Sequence, residues 1–145
     1  MAADQNRADY GYWVDIATRW ADCDPYGHVN NAQYYSFFDT ALSTMIIARG
    51  VIRSPLGNSI GLCVESQCQF HAPIEFPAMI NAGVRIGHLG SKSIRYEIGL
   101  FLAGEDKPAA TGYFVHVFVD KDSRRPVPLT DGQRAAIADL VVAKG

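Results

Sequence analysis

The residues best suited to chemistry lie close together in one short segment, where Asp22 and Asp24 precede His28 and Asn31. A carboxylate or an imidazole can act as a general base, and a carboxylate can also act as a nucleophile. If a helix begins at Asn31, its first backbone N–H groups lack acceptors inside the helix and attract negative charge. A carboxylate beside these donors could attack a carbonyl, or activate water to do so, while they polarise the carbonyl oxygen. The segment therefore predicts acyl transfer or hydrolysis.

The turn between the aspartates and the helix favours Asp24 as the reactive group. Pro25 biases Asp24 toward an extended backbone, and Gly27 allows a sharp turn. The alternative for Asp24 is a turn carboxylate that caps the helix, a common role of aspartate. Asp22 is interpreted as a structural loop anchor. The Asp-x-Asp-x3-His spacing ending at His28 fits no zinc pattern, so no metal site is expected.

Hydrophobic spacing predicts the two elements that flank this segment. Residues 12–20 alternate in the manner of a strand, with Tyr12, Val14, Ile16 and Thr18 on one face. Residues 31–49 show the i, i+4, i+7 spacing of a helix, which would be roughly 28 Å long. Asn30 or Asn31 is expected to cap its start, and Gly50 stands where a cap glycine belongs. Because the helix is apolar on nearly every face, we expect it to be buried.

Four more strands and a short helix are expected after a loop over residues 51–61. The strands are predicted over residues 62–71, 79–88, 93–102 and 109–120. Leu62, Val64, Cys68 and Phe70 would share a face of the first of them. Thr111, Tyr113, Val115, Val117 and Val119 would share a face of the last. The final helix is expected to begin at Thr130, which forms a capping-box pattern with Gln133.

This order of elements predicts an α+β fold. The short turns at residues 89–92 and 103–108 indicate antiparallel neighbours. The most economical arrangement is a five-stranded antiparallel sheet wrapped around a long central helix, plus a short C-terminal helix. We expect residues 1–10 to form a flexible tail and residues 11–145 a single domain. Because the sheet leaves two long edges, we also expect a homodimer, which can stack further into a tetramer.

Composition narrows the class of protein. The chain has 145 residues, 48% hydrophobic and 19% charged, and a formal net charge of −2, which is typical of an ordinary globular protein. Without a basic run, a nucleic-acid partner is not expected, and no segment is apolar enough to span a membrane. Cys23, Cys63 and Cys68 are odd in number, and Cys63 and Cys68 should point to opposite strand faces, so no disulfide is expected. With a polar N-terminus, this predicts a cytoplasmic protein.

Residues 19–34 resemble the signature of the 4-hydroxybenzoyl-CoA thioesterase-like group of the hotdog-fold superfamily. The shared motif is Asp-x-Asp-x-x-Gly from Asp22 to Gly27, continuing as His-Val-Asn-Asn-x-x-Tyr from His28 to Tyr34. The order of elements extends the resemblance over residues 12–120. It implies the hotdog fold and, for the chain, hydrolysis of an acyl-CoA or acyl-carrier-protein thioester without a cofactor, since CoA is part of the substrate.

The resemblance also implies roles for individual residues. Asp24 becomes the catalytic carboxylate, as nucleophile or general base, and the backbone N–H near Asn31 becomes the donor to the carbonyl oxygen. Basic residues near the turn after the third strand would meet the CoA phosphates, which points to Lys92 and Arg95. The acyl chain would lie between the helix and the sheet, usually at a subunit interface. The candidate substrate-binding residues are Tyr26, Tyr34, Lys92 and Arg95.

One departure from related enzymes concerns His28. Related acyl-carrier-protein thioesterases place an asparagine two residues after the catalytic aspartate, and this chain has Tyr26 there. His28 is therefore only a secondary candidate for acid–base chemistry. Two other functions compete with the thioesterase. One is a non-catalytic module that binds an acyl thioester, and the other is a hotdog hydratase or dehydratase, in which a histidine and a carboxylate act at the acyl β-carbon.

Overall fold

The computed structural model describes residues 5–52 and 59–142 and confirms five antiparallel strands, one long helix and a short C-terminal helix. The elements are β1 Tyr12–Ala17, α1 Asn31–Ala48, β2 Ser59–Phe70, β3 Met79–Leu89, β4 Ser93–Leu102, β5 Ala110–Asp120 and α2 Asp131–Ile137. Pro55 and Gly57, which were expected in a loop, lie outside the described residues. None of the helices in the described part is long and apolar enough to cross a membrane.

The strands follow the order β1-β3-β4-β5-β2, and every neighbouring pair is antiparallel. The edges of the sheet are therefore β1 and β2. The core lies between α1 and one sheet face, to which the central strands contribute fully buried side chains. These are Ile80, Ala82, Val84 and Ile86 from β3, and Ile94, Tyr96, Ile98 and Leu100 from β4. The predicted inward faces of these two strands are thus confirmed.

Strand β2 departs from simple alternation because it contains a β-bulge. Cys63 pairs with His116 and Glu65 with Val115, which leaves Val64 as the extra residue. A bulge reverses which side chains point to a given face. The expected shared face of Leu62, Val64, Cys68 and Phe70 is therefore wrong, since Leu62 is separated from Cys68 and Phe70. The bulge also puts Cys63 on the same face as Cys68, so the expectation that these two side chains point to opposite faces is wrong. Both thiols are free.

The face of strand β5 that meets the helix is not the face that carries the predicted set of residues. Phe114 and Phe118 are buried on the helix side, and Phe38 of α1 packs edge-to-face on Phe114 with ring centroids 6.3 Å apart. The predicted set from Thr111 to Val119 does share a face, but that face points away from α1. Apolar residues on both sides of the strand made alternation uninformative here.

Helix α1 begins and ends close to the predicted residues. The Asn30 side chain accepts a hydrogen bond from the Ala32 N–H, and Gly50 follows the helix with φ of 74°. Its expected burial holds for one side only, because Tyr35, Ile47 and Ala48 remain exposed in the single chain. The sheet covers a single side of this helix, so its remaining apolar residues are available for other contacts.

The chain before β1 is packed rather than loose where it is described. Residues 7–9 form a 3₁₀ turn, the Arg7 side chain donates to the carbonyls of Leu102 and Glu105, and Tyr10 is buried. Residues 7–10 therefore contact the rest of the domain. Strand β1 ends at Ala17 instead of residue 20, since residues 20–22 form a second 3₁₀ turn. At the other end, the predicted capping box is confirmed, with reciprocal bonds between Thr130 and Gln133.

Candidate active site

The segment with the two aspartates folds into a small hairpin before α1. Cys23 and Val29 form an isolated antiparallel bridge, and the Asp24 N–H donates to the His28 carbonyl at 2.8 Å. The Gly27 N–H donates to the Asp24 carbonyl at 3.1 Å, and Gly27 has φ of 82°. That left-handed conformation is one that glycine adopts without steric cost, so the turn depends on this residue.

The hairpin fixes the orientation of the Asp24 carboxylate. Its Oδ1 accepts hydrogen bonds from the backbone N–H groups of Tyr26 at 2.9 Å and His28 at 3.2 Å. Among the described residues, Oδ2 has no hydrogen-bond partner. Asp24 therefore has a turn role, but it does not cap α1, a position held by Asn30. One oxygen orients the group and the other remains available for chemistry.

Asp22 is buried and anchors the loop, as expected. Its carboxylate accepts from the Arg19 backbone N–H at 2.7 Å and from the Arg19 side-chain Nη2 at 2.7 Å, and its carbonyl accepts from the Asn30 N–H at 2.8 Å. Burial raises the pKa of Asp22, but the hydrogen bonds and positive charge of Arg19 outweigh it and hold the pKa below its usual value. Both oxygens of Asp22 are thus occupied, whereas Asp24 keeps one unbound.

The start of α1 supplies a free donor. The Ala32 N–H is bound by the Asn30 side chain at 3.0 Å and the Gln33 N–H by the Asn30 carbonyl at 2.9 Å. The Asn31 N–H has no acceptor within the part of the chain that the structure describes. An unpaired N–H at a helix N-terminus is suited to bind a developing oxyanion.

A pocket of about 360 Å³ brings these groups together. It is lined by Asp24, His28, Val29, Asn31, Tyr34, Phe70, His71, Ala72 and Pro73. Four residues predicted from the sequence meet here: Asp24, His28, Asn31 and Tyr34. A larger pocket of about 520 Å³ shares His71 and Ala72 with it but contains neither the carboxylate nor the helix start. The smaller pocket is therefore the candidate active site.

Sequence reasoning missed the wall contributed by the end of β2. The Phe70 ring packs edge-to-face on Tyr34 with centroids 4.8 Å apart, and burial raises the pKa of Tyr34 while a backbone hydrogen bond with Ile74 opposes the change. Next to it, His71 Nε2 lies 2.9 Å from Thr111 Oγ1. No local pattern marks Phe70 or His71, because only the tertiary fold brings the end of β2 to the start of α1.

Three other predicted residues lie elsewhere in the single chain. Tyr26 is 85% exposed at the tip of the hairpin and does not line the pocket. Lys92 lies between β3 and β4, at the opposite end of the sheet, since eleven-residue β3 is about 35 Å long. Arg95 is on the outer sheet face, where it pairs with Glu97 at 2.8 Å and packs over the Tyr113 ring. Across residues 5–52 and 59–142, no three His, Cys, Asp or Glu side chains converge to hold a metal.

Comparison with known proteins gives a family match and similar folds. A family model described as the thioesterase-like superfamily matches residues 18–137. The crystal structure of PA5185 from Pseudomonas aeruginosa strain PAO1 is 46% identical, with 97% of this chain and 98% of that chain covered and a TM-score of 0.88. PA2801 from the same species, described as a candidate thioesterase, is 27% identical over 87% and 97% of the two chains, with a TM-score of 0.77.

A third structure supports the fold alone. The 1,4-dihydroxy-2-naphthoyl-CoA thioesterase Slr0204 from Synechocystis is 18% identical over 89% of this chain and 96% of its own, with a TM-score of 0.77. The resemblance seen in residues 19–34 is confirmed by the family match, which extends it over most of the chain.

Proposed function

The chain belongs to the thioesterase-like superfamily, and from this premise we propose that it hydrolyses an acyl-CoA or acyl-carrier-protein thioester to a free acid and a thiol. The observation that carries the proposal is the pairing of a half-bound carboxylate with a free helix N–H in one pocket. Asp24 offers Oδ2, and Asn31 offers its backbone N–H. The proposed reaction consumes only water and the thioester, so it needs no cofactor.

The geometry supports a two-sided attack on the thioester carbonyl. Its oxygen accepts a hydrogen bond from the Asn31 N–H, which stabilises the negative charge that develops there. Asp24 either adds to the carbonyl carbon, giving an anhydride that water then hydrolyses, or removes a proton from the water that adds. In both routes the C–S bond breaks, and the thiolate leaves and takes up a proton. His28 also lines the pocket, but its backbone N–H already has a role in orienting Asp24.

The first prediction tests Asp24 directly. Asp24→Asn keeps the shape of the side chain and an oxygen that accepts the two turn hydrogen bonds, so the variant should fold and bind acyl-CoA. Its kcat should fall at least about 100-fold, because a general base or nucleophile is lost. Steady-state thioester hydrolysis, with circular dichroism for folding, gives the result. Asp22→Asn is the matched control and should lose less turnover and more stability. Wild-type kcat in Asp24→Asn would favour the non-catalytic binding module instead.

We further propose that the chain works as a homodimer joined through β2. This twelve-residue strand is a sheet edge, and Leu62, Val64 and Phe70 on it are 39%, 61% and 51% exposed. Exposed edges of this length are normally paired or covered. A twofold axis through the middle of β2 would pair it antiparallel with its copy and extend the sheet into the second subunit.

Because of the bulge in β2, residues that stand opposite each other in this pairing lie on the same face of the sheet. With full overlap, residue 59 of one chain stands opposite residue 70 of the other, and residue 61 opposite residue 68. Opposed residues in an antiparallel ladder point to the same face. Because the bulge at Val64 reverses the alternation, Ser59, Gly61, Cys68 and Phe70 all point to the helix side. Without the bulge, this register would oppose residues from different faces.

The pairing would complete the site with residues from both chains. Phe70 lines the Asp24 pocket and would lie beside the Ser59–Gly61 end of the partner's β2. Lys92 is at the same end of the sheet, two strands away: its carbonyl accepts from the Phe118 N–H of β5 at 2.8 Å, and Phe118 pairs with Gly61 of β2. Lys92 would therefore serve the partner's pocket rather than its own. Arg95 faces away from both pockets, so it is not part of the proposed CoA contact.

A further inference from the structure

A second cavity lies between the C-terminal half of α1 and the sheet. Its volume is about 320 Å³. The wall residues used below are Ile46 from α1, Gly61 from β2, Tyr96 from β4, and His116 and Phe118 from β5. Most of this wall is apolar, as in sites for small organic groups, which add a few placed polar groups for orientation. The two polar rings, Tyr96 and His116, are therefore its distinguishing features.

The hydroxyl of Tyr96 is the first of these features. Tyr96 is fully buried, and its hydroxyl has no hydrogen-bond partner among the described residues. Leaving a buried donor and acceptor unpaired costs free energy, so such groups nearly always have a partner in native proteins. Phenylalanine would fill the same space without that cost. Within the described residues, the hydroxyl is therefore left available to a bound molecule.

His116 stands next to Tyr96 and also lacks a hydrogen-bond partner within the described residues. The two rings pack edge-to-face with centroids 5.2 Å apart. Burial lowers the pKa of His116 below its usual value, although the charge of Asp39 acts in the opposite direction. The imidazole is thus neutral near pH 7, and the cavity has no charge of its own. An ionised group would be poorly solvated there, whereas a neutral hydroxyl or carbonyl would find both a donor and an acceptor.

The cavity is remote from the Asp24 pocket of its own chain. Ile46 lies about 22 Å along α1 from Asn31, and the packed rings of Phe38 and Phe114 lie between. In the dimer proposed above the relation changes, because the Gly61 end of β2 lies opposite the Cys68–Phe70 end of the partner. The cavity then borders the pocket that holds the partner's Asp24.

We propose that Tyr96 and His116 select thioesters whose acyl group carries an uncharged hydroxyl or carbonyl oxygen at the end far from the thioester. This inference rests on the proposed thioesterase function and on the two-chain site. The thioester carbonyl lies at Asp24 and Asn31 of one subunit, and the acyl group enters the cavity of the other. Its oxygen then meets the Tyr96 hydroxyl and the His116 imidazole, while its carbon skeleton contacts Ile46 and Phe118.

The test compares pairs of substrates that differ by one hydroxyl. The pairs are 4-hydroxyphenylacetyl-CoA with phenylacetyl-CoA, and 6-hydroxyhexanoyl-CoA with hexanoyl-CoA. In at least one pair, the wild type should show kcat/KM about tenfold higher for the hydroxylated member, the size expected for one buried hydrogen bond. Tyr96→Phe removes only the hydroxyl oxygen. It should bring the ratio of kcat/KM for the hydroxylated member to kcat/KM for the other member close to one. His116→Phe, which keeps the ring packing, should reduce it as well.

The control is Tyr113→Phe, which deletes a phenol oxygen from the opposite face of the sheet and should leave the ratio unchanged. Binding of the same pairs to Asp24→Asn by calorimetry separates this inference from the proposed function. One outcome is that the hydroxylated member binds preferentially, that Tyr96→Phe abolishes this preference, and that the wild type hydrolyses neither member. That outcome would reject the thioesterase function and retain the selection site. Hydrolysis of both pairs without preference, or a preference that survives in Tyr96→Phe, would overturn the inference.

Discussion

Two aspartates separated by one residue have different environments in this protein. The Asp22 carboxylate is fully buried and has Arg19 hydrogen bonds to both oxygens, whereas Asp24 has two backbone bonds to one oxygen only. The neighbour of an ionised group decides whether it stabilises a fold or stays available for reaction. Asp22 therefore positions the loop in which Asp24 can act.

The second prediction concerns the contribution of Asp22 to stability. Asp22→Asn removes the charge that Arg19 binds and should lower the free energy of unfolding by about 2 kcal/mol, the usual size for hydrogen bonds to a charged group. Because the folded pKa of Asp22 is lowered, its contribution is present above the unfolded pKa of about 3.9 and disappears as the pH falls through the folded value. Urea unfolding of both proteins between pH 7 and pH 2 measures this. If the free energies of unfolding of the two proteins differed by the same amount at every pH, the charge of Asp22 would not be the source of the stabilisation.

Among the elements, the start of α1 matters most for the site. Asn30 binds the Ala32 and Gln33 N–H groups, and these contacts leave the Asn31 N–H as the free donor. The helix thus contributes through its backbone, and its cap decides which N–H faces the pocket.

The third prediction tests this cap. Asn30→Ala should lower the free energy of unfolding by about 1 kcal/mol, the typical cost of losing an N-cap. It should also lower kcat several-fold, because a frayed first turn moves the Asn31 N–H. The matched control is Thr130→Ala, which removes the cap of α2, away from the pocket. It should cost similar stability and leave kcat unchanged. Equal kcat in both variants would mean that the helix start does not contact the carbonyl.

For the whole molecule, the fourth prediction is a dimer that depends on the middle of β2. Light scattering should give about twice the chain mass of 15.9 kDa, or a further multiple if dimers stack. Val64 is 61% exposed beside the proposed axis, where the pairing described above places it opposite the partner's Glu65. Val64→Glu would bring four carboxylates together, counting Glu65 of both chains, and should give inactive monomers. Val141→Glu, at a residue 38% exposed away from β2, is the control and should remain dimeric and active. Monomeric wild type at micromolar concentration would refute the dimer.

The fifth prediction concerns Lys92, which would contact CoA phosphates only across the dimer. Lys92→Ala should raise KM for acyl-CoA with little change in kcat, as expected when binding is lost equally in the ground and transition states. The KM of the wild type should also rise with salt, because exposed charges are screened. Arg95→Ala serves as a control, since that side chain is bound to Glu97 on the outer face. An unchanged KM in Lys92→Ala would remove Lys92 from the site.

Much of the fold and the reactive segment could be predicted from local sequence. Strand alternation in β1, β3 and β4 and the helical spacing of residues 31–48 depend on nearby residues only, so their types and approximate limits were correct. The caps at Asn30 and Thr130 are likewise local, because a side chain three or fewer residues away satisfies the helix donors. The same holds for the Asp24 turn, which Pro25 and Gly27 shape.

Features that depend on pairing between distant segments were decided by the tertiary structure. The bulge at Val64 follows from the register with β5, and the helix-facing side of β5 follows from the position of Phe38, neither of which alternation reveals. The same reason accounts for Phe70 and His71 in the pocket and for the distance of Lys92 from Asp24. Spacing indicates which side chains share a face of an unbroken strand, whereas the position of a bulge and the face that meets α1 depend on how the whole sheet pairs and closes against the helix.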